Sequence, residues 1–175
     1  GGVEAWSIQI AEQLGKYGYG YKFLVPGNAH NVIEYNPASV LEINPSKFGK
    51  ARNDTMLKNM LDNLPCVLVS NFIGENFSTS CLAKHIYGSA VKHICIIHND
   101  EENYYSNYVL MEQYIDYCLV ISERICQKLL QRGFPKQKIK YTGEEFLAHN
   151  PYIKSRIEQE KIVEKYCDDT FSASV

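Results

Sequence analysis

The chain has 175 residues, of which 45% are hydrophobic and 22% charged, a balance that buries a core of ordinary size and excludes a disordered segment. A formal charge of -2 and a pI near 6.2 exclude the strongly basic balance typical of nucleic-acid binders. No run reaches the roughly 18 apolar residues that span a bilayer, and the six cysteines are scattered, mostly within apolar runs, as buried thiols of a reduced compartment are, so a cytoplasmic location is expected.

Residues 3 to 16 place Val3, Trp6, Ile10 and Leu14 on one helical face, with Gly18 and Gly20 as exits, which predicts a core-packed first helix. Tyr21 to Val25 and Val40 to Ile43 read as strands closed by Pro26-Gly27 and Asn44-Pro45. Met56, Leu57, Met60, Leu61 and Leu64 keep helical spacing and lead into Cys66 to Asn71, whose β-branched run suits a buried parallel strand. The alternation continues with a helix over about 78–87, a strand over 91–97, a helix over about 104–114 and a strand over 117–121. Ser122 and Glu123 open the next helix, Ile125, Cys126, Leu129 and Leu130 form its buried face, and Gly133 with Pro135 ends it. A short strand over 138–141 and a last helix opened by Asn150-Pro151 complete the pattern. Such alternation predicts one α/β domain over residues 1–175: three layers, a parallel Rossmann-like sheet flanked on both faces by helices.

Open α/β sheets bind ligands beyond the carboxyl ends of their strands, so the loops there hold the candidate site residues. His98 ends an apolar strand and is followed by Asn99 and Asp100; its imidazole titrates near neutrality and both ring nitrogens form hydrogen bonds. A satisfied strand-end histidine is the plain alternative. Asn71 follows one strand, Ser122 and Glu123 another, and Gly1 and Gly2 stand before the first helix, where backbone N–H groups at the positive end of the helix dipole suit an anionic or hydroxyl-rich ligand. Cys81 with His85, and His93 with Cys95, have spacings that invite zinc, but scattered core cysteines explain them more simply, so no metal is expected. From Arg124 to Lys140 six basic residues occur with no acid among them, a stripe that reads first as a solvated helix surface and second as a site of peripheral contact with anionic lipid headgroups or a phosphorylated acceptor.

Taken in order, Gly1-Gly2-Val3-Glu4, Ile96-Ile97-His98 and Leu119-Val120-Ile121-Ser122-Glu123 with Gly133-Phe134-Pro135 resemble the N-terminal, acceptor-side half of the retaining GT-B glycosyltransferases, the family-four mannosyl-, glucosyl- and N-acetylglucosaminyl-transferases. The resemblance covers about Gly1 to Thr142. It implies transfer of a sugar from a nucleotide-sugar donor to a glycan, lipid-linked or other hydroxyl acceptor, with His98 as the catalytic-cleft histidine and Gly1, Gly2, Ser122 and Glu123 beside it. It also implies a first strand at the centre of the sheet, before Gly1, and a C-terminal donor-binding domain, so that residues 1–175 alone are catalytically silent; no cofactor is implied in this half. Two departures stand out: Tyr141-Thr142-Gly143-Glu144 replaces the Asn-Gly usual after the final strand, and no paired-glutamate motif sits in a donor domain. The other readings of the same fold are a non-catalytic binding or interaction module and a nucleotide-sugar epimerase-like enzyme; Gly-x-Gly-x-x-Gly after a strand, the mark of a dinucleotide oxidoreductase, does not occur.

Overall fold

A computed structural model describes residues 2–26, 40–43 and 50–141 of the chain. Helices and strands alternate as the periodicity predicts: α1 (Gly2–Lys16), β1 (Phe23–Pro26), β2 (Val40–Ile43), α2 (Lys50–Leu61), β3 (Cys66–Ser70), α3 (Glu75–Tyr87), β4 (Val91–Ile97), α4 (Glu102–Leu110), β5 (Tyr117–Val120), α5 (Glu123–Gln131) and β6 (Ile139–Tyr141). The helix expected from Asn150 lies outside the described residues.

Among the described residues all strand pairs are parallel, in a four-stranded sheet ordered β3-β4-β5-β6 and a two-stranded one, β1-β2. This is the α/β fold that the alternation predicts. The register aligns Leu68 with His93, Cys95 with Cys118 and Val120 with Tyr141, so side-chain alternation defines two faces. One face carries Cys95, Ile97, Cys118 and Val120, and onto it pack Phe77 and Cys81 of α3, Tyr104, Tyr105 and Tyr108 of α4, and Ile125 and Leu129 of α5. Met56 and Met60 of α2 join Ala83 of α3 over Leu68, and Leu24 of β1 packs against the same cluster. Each fully buried side chain of this size contributes roughly 2 kcal/mol, which makes this layer the main source of stability.

The second face is more open. Val67 and Val69 alternate onto it and are 58% and 49% exposed. Within α1, Ala11 is buried, whereas Val3, Trp6 and Ile10 are half-buried and Leu14 is 42% exposed. The expected core-packed first helix is therefore a partly covered one, which meets the sheet through Trp6 and Ser7 at the strands' carboxyl ends.

Local chemistry accounts for the ends of the helices. The Gly133 N–H bonds the Leu130 carbonyl and the Phe134 N–H the Leu129 carbonyl, a paired closure that needs the positive φ of Gly133 (86°) and brings buried Phe134 onto Leu129. The helix expected over 104–114 breaks at Met111 into a 3-10 turn, Glu112–Tyr114, that drops Ile115 into the core and sets the Tyr114 carbonyl against His93.

Candidate functional site

β3 and β4 are neighbours, so the residues just past their carboxyl ends, Asn71 and His98, are brought side by side on the open face of the sheet. His98 Nε2 lies 3.0 Å from Asn71 Oδ1. The Asn71 amide in turn donates to Ser7 Oγ at 3.1 Å, and the Ser7 hydroxyl donates to the Val3 carbonyl at 2.8 Å, inside α1. The chain of donors fixes which ring nitrogen of His98 donates to Asn71. Ser7 spends its one proton on Val3, so its oxygen accepts from Asn71; the Asn71 carbonyl oxygen then faces His98, and the His98 proton resides on Nε2. Nδ1 is consequently the acceptor nitrogen of the neutral ring.

Two aromatic rings flank this imidazole. Trp6 meets it edge-on, with ring centroids 5.4 Å apart and planes at 75°, and Phe72 lies 6.3 Å away at 40°. Trp6 was legible in the sequence only as a core position of an amphipathic helix, and Phe72 only as a member of the 71–76 loop that follows a strand. The signal that finds them is topological, since α1 enters the sheet at the same edge where β3 and β4 end.

The remaining candidates divide. Asp100 does not join His98: its carboxylate takes Lys128 at 2.7 Å, Arg124 at 2.9 Å and the Tyr105 hydroxyl at 2.6 Å. The Lys128 and Tyr105 hydrogen bonds, with Arg124 nearby, hold it below the usual carboxylate range, and burial, reinforced by the same carboxylate, pushes the Tyr105 phenol up. Asn99 is exposed, and its carbonyl accepts the Glu101 N–H. Ser122 caps α5, its oxygen accepting the Ile125 N–H at 3.2 Å, and the exposed Glu123 carboxylate accepts from Gln127 at 2.6 Å. Gly2 is the first residue of α1 itself, and Gly1 lies outside the described residues.

Part of the basic stripe is ion-paired. Arg124 and Lys128 pair with Asp100, Arg132 with Glu102 while lying 4.7 Å over the Tyr105 ring, and Lys138 with Glu112. These pairs staple α5 to the start of α4 and offer lipid less charge than the sequence run suggested. Among the described residues no helix is long and apolar enough to cross a membrane.

His93 belongs to the core. Its Nδ1 donates to the Tyr114 carbonyl at 3.0 Å, which leaves Nε2 to accept from the Ser70 hydroxyl at 2.9 Å. Burial lowers its pKa to about 4, against smaller opposing effects of the Tyr114 bond and Asp116. With both nitrogens so engaged, and with His85 stacked edge-on against Tyr114, the zinc spacing of Cys81, His85, His93 and Cys95 does not converge, and no group of three potential ligands gathers among the described residues.

No family model matches the chain, and neither a curated protein nor a solved structure matches it.

Proposed function

We propose that this chain is the acceptor-side domain of a retaining glycosyltransferase, which moves a sugar from a nucleotide-sugar onto a glycan, lipid-linked or other hydroxyl acceptor. The observation that carries the reading is the His98–Asn71 pair at 3.0 Å, at the carboxyl edge of a parallel sheet where α/β enzymes hold their ligands. An imidazole that donates from Nε2 to Asn71, itself held by Ser7, gives this edge a polar group suited to the orientation of an incoming alcohol.

In this reading His98 and Asn71 position the acceptor hydroxyl, the backbone N–H groups at the start of α1 face the cleft, and the donor half holds the leaving diphosphate and supplies most of the charge stabilisation. Residues 1–175 alone then turn over no donor. The test is transfer from a panel of nucleotide-sugars by the full-length gene product and by its His98→Ala variant. Activity that falls at least about tenfold in a folded variant supports the reading. A full-length protein that neither transfers sugar nor binds any nucleotide-sugar overturns it and favours a non-catalytic binding module.

A further inference from the structure

We propose that Phe72 is a stacking platform for the pyranose ring of a neutral sugar, with Asn71 and His98 reading that sugar's hydroxyls; the assignment of this sugar as the acceptor rests on the transferase reading. Phe72 directly follows Asn71 at the carboxyl end of β3, and half of it (49%) is exposed. Its ring is tilted 40° to the His98 imidazole instead of lying flat on it, so phenyl surface and polar atoms share one edge of the sheet. A pyranose has the same two-sided character: a C–H face that packs on an aromatic ring and a rim of hydroxyls that exchange hydrogen bonds with amide, hydroxyl and imidazole groups.

Charge narrows the class of ligand. Of the acids that follow His98 in the chain, Asp100 is paired with Arg124 and Lys128, and Glu102 with Arg132. The groups gathered at the site itself, Ser7, Asn71, His98, Trp6 and Phe72, are polar or aromatic without formal charge when His98 is neutral. A neutral hexopyranoside fits this set better than a sugar phosphate or a uronic acid, whose charge would go unmatched.

The chain carries its own reporter. Trp6 is the single tryptophan, and its ring is 5.4 Å from His98. Tryptophan fluorescence of residues 1–175 is followed while methyl glucopyranoside, methyl mannopyranoside, glucose 6-phosphate and uridine monophosphate are added separately, in the parent sequence and in Phe72→Ala and Phe72→Trp, with far-UV circular dichroism to confirm folding. Phe72→Trp, which adds a second fluorophore, is read by the chemical-shift change of the glycoside in NMR. The expected result is saturable binding of a neutral glycoside that weakens at least tenfold in Phe72→Ala and returns in Phe72→Trp. No saturable binding of either glycoside, equal affinity in a folded Phe72→Ala, or tighter binding of uridine monophosphate or glucose 6-phosphate each overturns the proposal. Failure here with transfer intact in the full-length protein removes the platform alone, whereas Phe72-dependent binding without transfer removes the enzyme and leaves a sugar-binding module.

Discussion

Asn71 and His98 stand 27 residues apart in the chain and 3.0 Å apart in space, joined across the carboxyl ends of two adjacent parallel strands. Because the Ser7 hydroxyl donates to the Val3 carbonyl, the orientation of Asn71 and the tautomer of His98 follow from a single chain of hydrogen bonds that begins in α1. One helix thereby sets which nitrogen of a residue on the sheet faces Asn71 as a donor.

Replacing the amide oxygen by a carboxylate tests that relay. Asn71→Asp puts a negative charge against Nε2, which favours the imidazolium. On the transferase reading, if the reaction needs a neutral His98, the acid limb of the kcat/KM profile of the full-length protein moves to higher pH. Asn71→Ala removes the bond without the charge, lowering kcat while leaving the position of that limb within about half a unit. A profile unmoved by Asn71→Asp rules out a titrating role for His98.

The pH dependence of stability should report on His93. Its pKa falls from 6.5 in the unfolded chain to about 4 in the folded protein, where burial opposes the charged form. Between those values the unfolded state binds the extra proton, so the stability contributed by neutral His93 is complete above about pH 6.5 and is lost as the pH falls toward 4. The loss is roughly 3 kcal/mol. Urea midpoints measured from pH 7 to pH 4.5 should decline accordingly, and His93→Gln should be less stable at pH 7 but flatter across that range.

Thiol reactivity should follow depth. Burial pushes the Cys81 thiol up to about 12 and raises those of Cys95 and Cys118 as well, and all three are buried. Brief alkylation at pH 8 followed by peptide mass mapping should label Cys66 and Cys126, which are half-buried, well before these three. Rapid labelling of Cys95 in the folded protein would contradict the packing of α3 and α4 over the sheet.

Ser122 should behave as a cap. Ser122→Ala removes the acceptor for the Ile125 N–H and should cost about 1 kcal/mol by urea denaturation, with Ser122→Asp largely restoring it. Glycoside binding by residues 1–175 should be unchanged within twofold. A selective loss of binding at full stability would return Ser122 to the site.

Much of this molecule was legible from local pattern. The bounds of β2 and β4 agree with the predicted strands, and the exit of α5 at Gly133 follows from a residue that accepts positive φ. Sequence periodicity reports these features because burial alternates every second residue in a strand and about every fourth in a helix, and because caps act within a few residues. The singling out of His98 and Asn71 rested on the same logic, that strand ends face ligands. Their contact, however, depended on β3 lying beside β4 in the stated register, which no local pattern encodes. Likewise the charges of Asp100 and Arg124 read as a polar loop and a basic stripe until α5 was laid across the start of α4 and let them neutralise each other. Trp6 looked like core and His93 like a possible ligand because type and spacing do not say which way a side chain finds its partners; the packing of α1 at the strand ends and of Tyr114 against β4 decided both. Short-range interactions thus set the elements, whereas the chemistry of the crevice came from contacts between residues distant in the chain, whose pairing is chosen only when the whole sheet assembles.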